Sequence, residues 1–163
     1  MSEVNTILLR PVGPDDEAFL FELYASTRQK ELELVEWSEE VRARFLRQQF
    51  DAQRAHYAAA YPNAVHSIIL RDNRPAGRIW IERNAGEIRI LDMTIHAADR
   101  GAGIGSHLLR EAMREARQTA LPLRHSVEKN NLDAMRLYNR LGFLIVSEIP
   151  THYFMEYSHR DDA

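Results

Sequence analysis

The chain has 163 residues, enough for one compact domain and short of two. Its 21 lysines and arginines against 24 aspartates and glutamates leave a formal charge of −3, which argues against a nucleic-acid binder that works by neutralising phosphates. A hydrophobic share of 45% speaks against disorder, and the absence of cysteine excludes disulfides, thiolate metal sites and a cysteine nucleophile.

Residues 1–5 carry neither the basic patch nor the apolar run of a signal peptide, and no apolar stretch approaches the roughly 20 residues that span a bilayer. The expectation is a soluble, cytoplasmic protein with neither membrane nor nucleic-acid partners. No repeat, low-complexity segment or linker interrupts it, so a single domain over 1–163 is expected.

Residues 5–10 (NTILLR) read as a first strand, stopped by Pro11 and the turn residues Gly13 and Pro14. Asp15, Asp16 and Glu17 place acid in the first turn of a helix, with Phe19, Leu20 and Leu23 as its apolar stripe. An acidic stretch, 31–37 (ELELVEW), then joins it to a second helix. Ser38 is the candidate N-cap of that helix, which carries Val41, Phe45, Leu46 and Phe50 and ends before Pro62.

From Val65 the period changes. Residues 66–70 and 77–82 read as a hairpin around the turn 72–75, and 87–96 as a further strand. Ile88, Ile90, Asp92 and Thr94 share one face of that strand, and Leu91, Met93 and Ile95 the other. Both faces are largely apolar, which predicts a central strand covered on both sides. Ile104, Leu108, Leu109, Ala112, Met113 and Ala116 recur at helical spacing. Residues 121–127 form a strand, and Ala134, Leu137, Tyr138 and Leu141 a short helix closed by Gly142. Residues 143–147 and 153–157 are the last strands. The order β-α-α-β-β-β-α-β-α-β-β is an α/β arrangement with a mixed sheet.

The sharpest local signal is Arg100, Gly101, Ala102, Gly103, Ile104, Gly105 and Ser106, between a central strand and an amphipathic helix. Three glycines in five residues let successive N–H groups face one ligand, and the helix start adds unpaired donors and partial positive charge. The loop suits a phosphate or pyrophosphate, or else is a tight turn with no ligand. It is not a P-loop, because no lysine follows the glycines. It is not a Rossmann fingerprint either, because Ser106 stands where the third glycine would be and the loop lies two-thirds along the chain.

Arg100-x-x-Gly103-x-Gly105 resembles the Arg/Gln-x-x-Gly-x-Gly/Ala signature of the GNAT superfamily of acyl-CoA-dependent N-acyltransferases. A second block, Val127-x-x-x-Asn131-x-x-Ala134-x-x-Leu137-Tyr138-x-x-Leu141-Gly142-Phe143, is similar to that family's other hallmark, and the element order matches as well. The resemblance covers nearly the whole chain. It implies an α/β (α+β) fold: a mixed, mostly antiparallel central sheet flanked by helices on both faces.

The resemblance also implies acetyl-CoA as cosubstrate, with its pyrophosphate on Arg100 to Ser106 and its pantetheine arm along Met93, Thr94 and Ile95. A splay between that strand and the 121–127 strand would admit the arm. Asn131 would contact the arm or simply cap the next helix. Tyr138 would be the general acid: a phenol with an ordinary pKa near 10 keeps its proton at neutral pH and can give it to a leaving thiolate. The same ring could pack on the apolar stripe. A backbone N–H near 93–95 would serve the oxyanion.

Asp92 is the candidate general base or a carboxylate tied to a neighbour, with Glu82 and His125 as weaker alternatives. Acceptor specificity would come from the first two helices and their connection. There Tyr24, Glu33, Glu36 and Trp37 are candidates for a cationic amine, although a run of glutamates is also an ordinary solvated face. His152 and Tyr153 could line the same cleft. The seven histidines show no metal-ligand spacing and no serine-hydrolase motif occurs, so no metal is expected.

The leading expectation is therefore an N-acetyltransferase that moves acetyl from acetyl-CoA to a small-molecule or peptide amine by direct attack, a homodimer by family habit. The alternatives are a non-catalytic acyl-CoA sensor or partner-binding module on the same fold, and a loop that binds another nucleotide.

Overall fold

The computed structural model describes residues 6–158, so Asn5 of the expected first strand and His159 lie outside the described residues. The strands are β1 (Ile7–Pro11), β2 (Val65–Arg71), β3 (Arg74–Arg83), β4 (Ile88–Ile95), β5 (Leu123–Glu128), β6 (Leu144–Glu148) and β7 (His152–Tyr157). The helices are α1 (Glu17–Glu33), α2 (Glu39–Ala60), α3 (Ile104–Thr119) and α4 (Leu132–Leu141). The strand order is β1-β2-β3-β4-β5-β7-β6. β4 and β5 run parallel, whereas β1 with β2, β5 with β7 and β6 with β7 are antiparallel. The expected mixed, mostly antiparallel sheet is what forms. Among the described residues no helix is long and apolar enough to cross a membrane.

Two compact units contain these elements. One takes the chain through Ile79 together with Thr94–Arg100; the other takes Trp80–Met93 and the chain from Gly101 onward.

In the first unit, β2 and β3 are joined by Asp72 and Asn73 at φ 50° and 65°. Two successive left-handed residues form the type of tight turn whose twist matches paired strands, and aspartate and asparagine tolerate that conformation. Leu20, Tyr24, Phe50 and Ile68 form the core, with Phe19, Phe21, Leu46 and Leu70 packed against it. Ser38 caps α2 as expected, its hydroxyl accepting from the Val41 N–H at 3.2 Å. Of the apolar residues assigned to α2, Phe50 is buried while Val41 stays 43% exposed.

The acidic stretch departs from expectation, because α1 runs through Glu33 and only Leu34 to Ser38 connect the helices. Burial of Leu32, 8% exposed, accounts for the longer helix: its apolar contact outweighs the acidic composition around it.

Ahead of α1, Asp16 latches the end of β1. Its carboxylate accepts two hydrogen bonds from the Arg10 guanidinium, both at 2.8 Å, and one from the Gly13 N–H at 2.8 Å. The Arg10 pairing holds the Asp16 carboxyl down at about 2. Above about pH 4 the carboxylate is ionised folded or unfolded and the latch is at full strength. As pH falls further the unfolded chain takes the proton first, and the advantage is lost by about pH 2. Asp16→Asn should therefore cost about 1–2 kcal/mol at pH 7 and almost nothing near pH 2, as read from urea unfolding at both values. An equal cost at both would show that the charge is not what the latch uses.

In the second unit α3 buries Ile104, Leu108, Leu109, Ala112, Met113 and Ala116, the six positions its spacing predicts. Its C-terminus closes on Ala120 at φ 56°, with the Leu121 N–H donating to the Ala116 carbonyl at 3.1 Å. That closure, followed by Pro122, delays β5 to Leu123, two residues later than predicted. Gly142, at φ 95°, ends α4 as expected. Leu123, Val127, Tyr138, Phe143 and Met155 complete this core.

β4 is central in the sheet but is not covered on both faces along its length. Ile88, Ile90 and Thr94 are buried, whereas Leu91, Asp92, Met93 and Ile95 are half-buried. At the opposite end, β6 is an outermost strand with all five residues exposed and a register shift between Ile145 and Ser147.

Candidate active site

The glycine loop has the backbone expected of an anion cradle. Gly101 and Gly103 lie at φ +78° and +82°, and an added Cβ at either would meet nothing within 4 Å. The left-handed backbone, not crowding, is what selects glycine there. Gly103 caps α3 without a side chain, and no acidic residue occupies the first turn. The first N–H groups of α3, at Ile104, Gly105 and Ser106, have no intrahelical acceptor by the geometry of a helix start. An added Cβ at Gly105 would sit 3.5 Å from Leu137 Cδ2 and 3.6 Å from Met93 Cε, so β4, α3 and α4 converge on this turn. Arg140 of α4 donates to the Ser106 hydroxyl at 3.4 Å and adds a cation beside it.

The second feature is the fork between β4 and β5. Their parallel register pairs Ile88 with Leu123, Arg89 with Arg124 and Ile90 with His125, and ends there. β4 continues through Leu91, Asp92 and Met93 past the end of that register, while β5 continues through Ser126 to Glu128 paired to β7. The splay that the family resemblance implied is therefore present, and its apex is Ile90 and His125.

Tyr138 lies against this fork, 2% exposed, its ring 5.3 Å from the His125 ring and 5.0 Å from Phe143. The ring does pack, against His125 and Phe143. Among the described residues its hydroxyl makes no hydrogen bond, so the oxygen remains uncommitted. Burial pushes the phenol well above its usual value, and the Asp92 charge pushes the same way. Asp92 also favours the protonated form of His125, against the stronger effect of burial. One carboxylate, one imidazole and one phenol are thus within electrostatic reach of each other. Asn131 caps α4 through its side-chain oxygen, which accepts from the Ala134 N–H at 3.2 Å.

Thr94, Ile95, Arg100 and the four acceptor candidates lie in the first unit. Thr94 is buried and Ile95 half-buried; the Ile95 carbonyl accepts from Arg100 Nε at 3.1 Å, which folds that side chain back along the strand end. His96 accepts from the Ala98 N–H at Nδ1 and meets Glu22 through Nε2, both at 3.2 Å, and Arg71 pairs with Asp99 at 3.1 Å.

Tyr24 is a core residue, 5% exposed, with Phe50 at 5.7 Å and the Arg28 guanidinium over its ring at 5.6 Å. Glu36 is exposed, and Trp37 packs edge-on against Phe45 at 5.2 Å. Glu33 alone of the four substrate candidates lines the groove of about 420 Å³ between α1 and α2, shared with Glu22, Gln29 and Arg42. Glu31 pairs with Arg28 and Glu40 with Arg44, the behaviour of a solvated face. In the second unit Tyr153 carries the Lys129 ammonium over its ring at 4.9 Å, and His152 bonds Thr151 at 2.8 Å. Among the described residues no three His, Asp or Glu side chains converge as a metal site.

Two contributors escaped the sequence reading. Gly77 on β3 meets β4 so closely that an added Cβ would collide with the Thr94 carbonyl oxygen, with Ile95 Cα at 3.1 Å and Ile69 Cδ1 at 3.3 Å. A lone glycine inside a strand pattern was the available signal. Arg140 carried none, since its value lies in a contact 34 residues away.

The fold is shared with solved N-acetyltransferases. The PaiA N-acetyltransferase of Thermoplasma acidophilum, solved with coenzyme A, superposes with a TM-score of 0.70 at 18% identity, over 94% of this chain and 99% of that one. Ard1 from Thermoplasma volcanium gives 0.63 at 19% identity over 95% and 99%. Naa50 of Arabidopsis thaliana, in complex with the bisubstrate analogue CoA-Ac-MVNAL, gives 0.59 at 21% identity over 94% and 99%. No curated protein matches the chain in sequence. Those identities speak for the fold alone, but the acetyltransferase (GNAT) family model matches residues 19–143, and on that match the chain belongs to the GNAT family.

Proposed function

We propose that the protein is an N-acetyltransferase that moves acetyl from acetyl-CoA to the primary amine of a small molecule or peptide. The observation that carries this reading is the parting of β4 and β5 after Ile90, with an uncommitted, proton-bearing Tyr138 beside it. The residues fit the cosubstrate. An uncapped helix start with two open left-handed glycines suits a pyrophosphate, and a strand that runs on past its parallel neighbour suits an arm with amide groups. Met93, Thr94 and Ile95 would hold the arm, Arg100 to Ser106 the pyrophosphate, and the Asn131 carboxamide NH₂ is free to face the arm.

Bound acetyl-CoA supplies the acetyl group as an activated thioester. Tyr138 keeps its proton through neutral pH because burial and the Asp92 charge both oppose ionisation, and it gives that proton to the departing sulfur. Asp92 takes the proton that the acceptor ammonium must shed, directly or through one water. A proton donor and a carboxylate acceptor thus stand on neighbouring elements, as acid–base work requires. No side chain need become acylated, and the chain has no cysteine to accept the group.

Thermal unfolding with acetyl-CoA, CoA, ATP and NAD tests the reading. At a hundredfold over Kd, one-site binding adds about 2.7 kcal/mol, which for a chain of this size raises Tm by about 5–10 °C. Acetyl-CoA and CoA should both do so, and ATP and NAD should not. Absence of a rise with either CoA species would remove the donor site. Absence of thiol release with any amine, once CoA binds, would favour a sensor. With no cysteine in the chain, released CoA is the only thiol such an assay can see.

A further inference from the structure

The fork raises a question that the glycine loop and Tyr138 do not answer: what makes two parallel strands part at Ile90. A parallel ladder runs on by default while both backbones stay extended, since each further rung satisfies one N–H and one C=O. At the last rung, His125 departs from that pattern. Its Nδ1 lies 2.8 Å from the Ile90 carbonyl oxygen. A carbonyl only accepts, so Nδ1 carries the hydrogen and donates it. Burial favours the neutral imidazole, opposed by this bond and by Asp92 and aided by Arg89 and His152. In that form Nε2 is bare.

We propose that His125 is the peg that sets where β4 and β5 separate, and through that a positioning residue for the pantetheine arm and for Tyr138. The inference deepens the acetyltransferase reading and rests on it only for the function of the gap. The Nδ1–H grips the Ile90 carbonyl from a side chain at the last rung, which pins the apex of the fork to that residue. Beyond it the β5 backbone stays with β7, to which it remains paired through Glu128. The imidazole also stands 5.3 Å from the Tyr138 ring, so one side chain fixes both the apex of the slot and one wall behind the phenol. Phe143, at 5.0 Å, supplies another.

Three substitutions separate the donor from the ring. His125→Asn keeps an N–H donor at nearly the reach of Nδ1. His125→Phe keeps an aromatic ring against Tyr138 and removes the donor. His125→Leu removes both. The peg requires that Asn hold the CoA Kd within about twofold of the parent, that Phe and Leu weaken it five- to tenfold, and that Phe preserve Tm better than Leu. Equal Kd values for the Asn and Phe variants would overturn it.

Two readouts do not depend on cofactor binding. Imidazole ¹⁵N shifts of the unliganded protein should show the Nδ1–H tautomer for His125; an Nε2–H tautomer would sink the proposal even if no variant folds. Hydrogen exchange at the amides of 91–92 and 126–127 should change at least tenfold in the Phe variant and stay near the parent in the Asn variant. No change in Phe would likewise count against the peg. If the parent protein itself fails to bind CoA, the acetyltransferase reading falls, and the tautomer and exchange results still judge the peg.

Discussion

Gly77→Ala should destabilise the protein by about 3 kcal/mol or more, at the upper end of what overpacking costs, and lower Tm by about 10 °C. The added methyl would drive into the Thr94 carbonyl oxygen while Ile95 Cα and Ile69 Cδ1 close it in at 3.1 and 3.3 Å. Backbone cannot swing aside as the end of a long side chain can, and the neighbouring Ala76 carbonyl is bonded to the His96 N–H at 2.7 Å, so the two segments are held on each other. Relief would require β4 to move at Thr94 and Ile95, the segment proposed to hold the pantetheine arm. A thermal melt followed by circular dichroism gives the first number and CoA titration the second. Gly86→Ala is the control, because its methyl would meet only Asn84 Oδ1 at 3.5 Å. A Gly77→Ala protein that melts within 2 °C of the parent would show that β3 and β4 separate easily there.

Tyr138→Phe should lower kcat by about 10- to 100-fold and leave the CoA Kd nearly unchanged, a loss of about 1.4–2.7 kcal/mol in the transition state. The substitution removes one oxygen. The ring keeps its neighbours His125 and Phe143, and the hydroxyl makes no hydrogen bond among the described residues that stability could lose. Tm should therefore stay within about 2 °C, since no buried partner is orphaned. Steady-state kinetics beside a direct CoA titration separates the outcomes. Weaker CoA binding at unchanged turnover would make Tyr138 a wall of the cofactor site and return the acid to some other group.

Local chemistry was legible in the sequence and cross-strand chemistry was not. Ser38, Gly142 and the glycine loop announce themselves because a cap or a left-handed residue needs only its own few neighbours. The six buried positions of α3 were equally plain, since one helix face repeats within the sequence itself. The C-terminus of α1 was misread because Leu32 is decided by what covers it, and composition around it pointed to a connection. The expected splay came with the family resemblance, but its position did not. That depends on one imidazole reaching a carbonyl 35 residues away. Gly77 shows the same limit, since a strand glycine states that something comes near and not what it is. Of the four candidates for acceptor recognition, only Glu33 lines the α1–α2 groove, because helical phase decides which carboxylates turn inward.

The irregularity in β6 bears on how the protein behaves at high concentration. Leu144, Ile145 and Val146 are 64%, 49% and 56% exposed on a strand that, among the described residues, has no neighbour on its far side, which is the composition of a template for strand-by-strand growth. The slip between Ile145 and Ser147 breaks the straight row of donors and acceptors that an incoming chain would need. Glu148 at the strand's end adds charge just past the break. The slip is a single extra residue, Val146, and deleting it would restore a straight row along this edge.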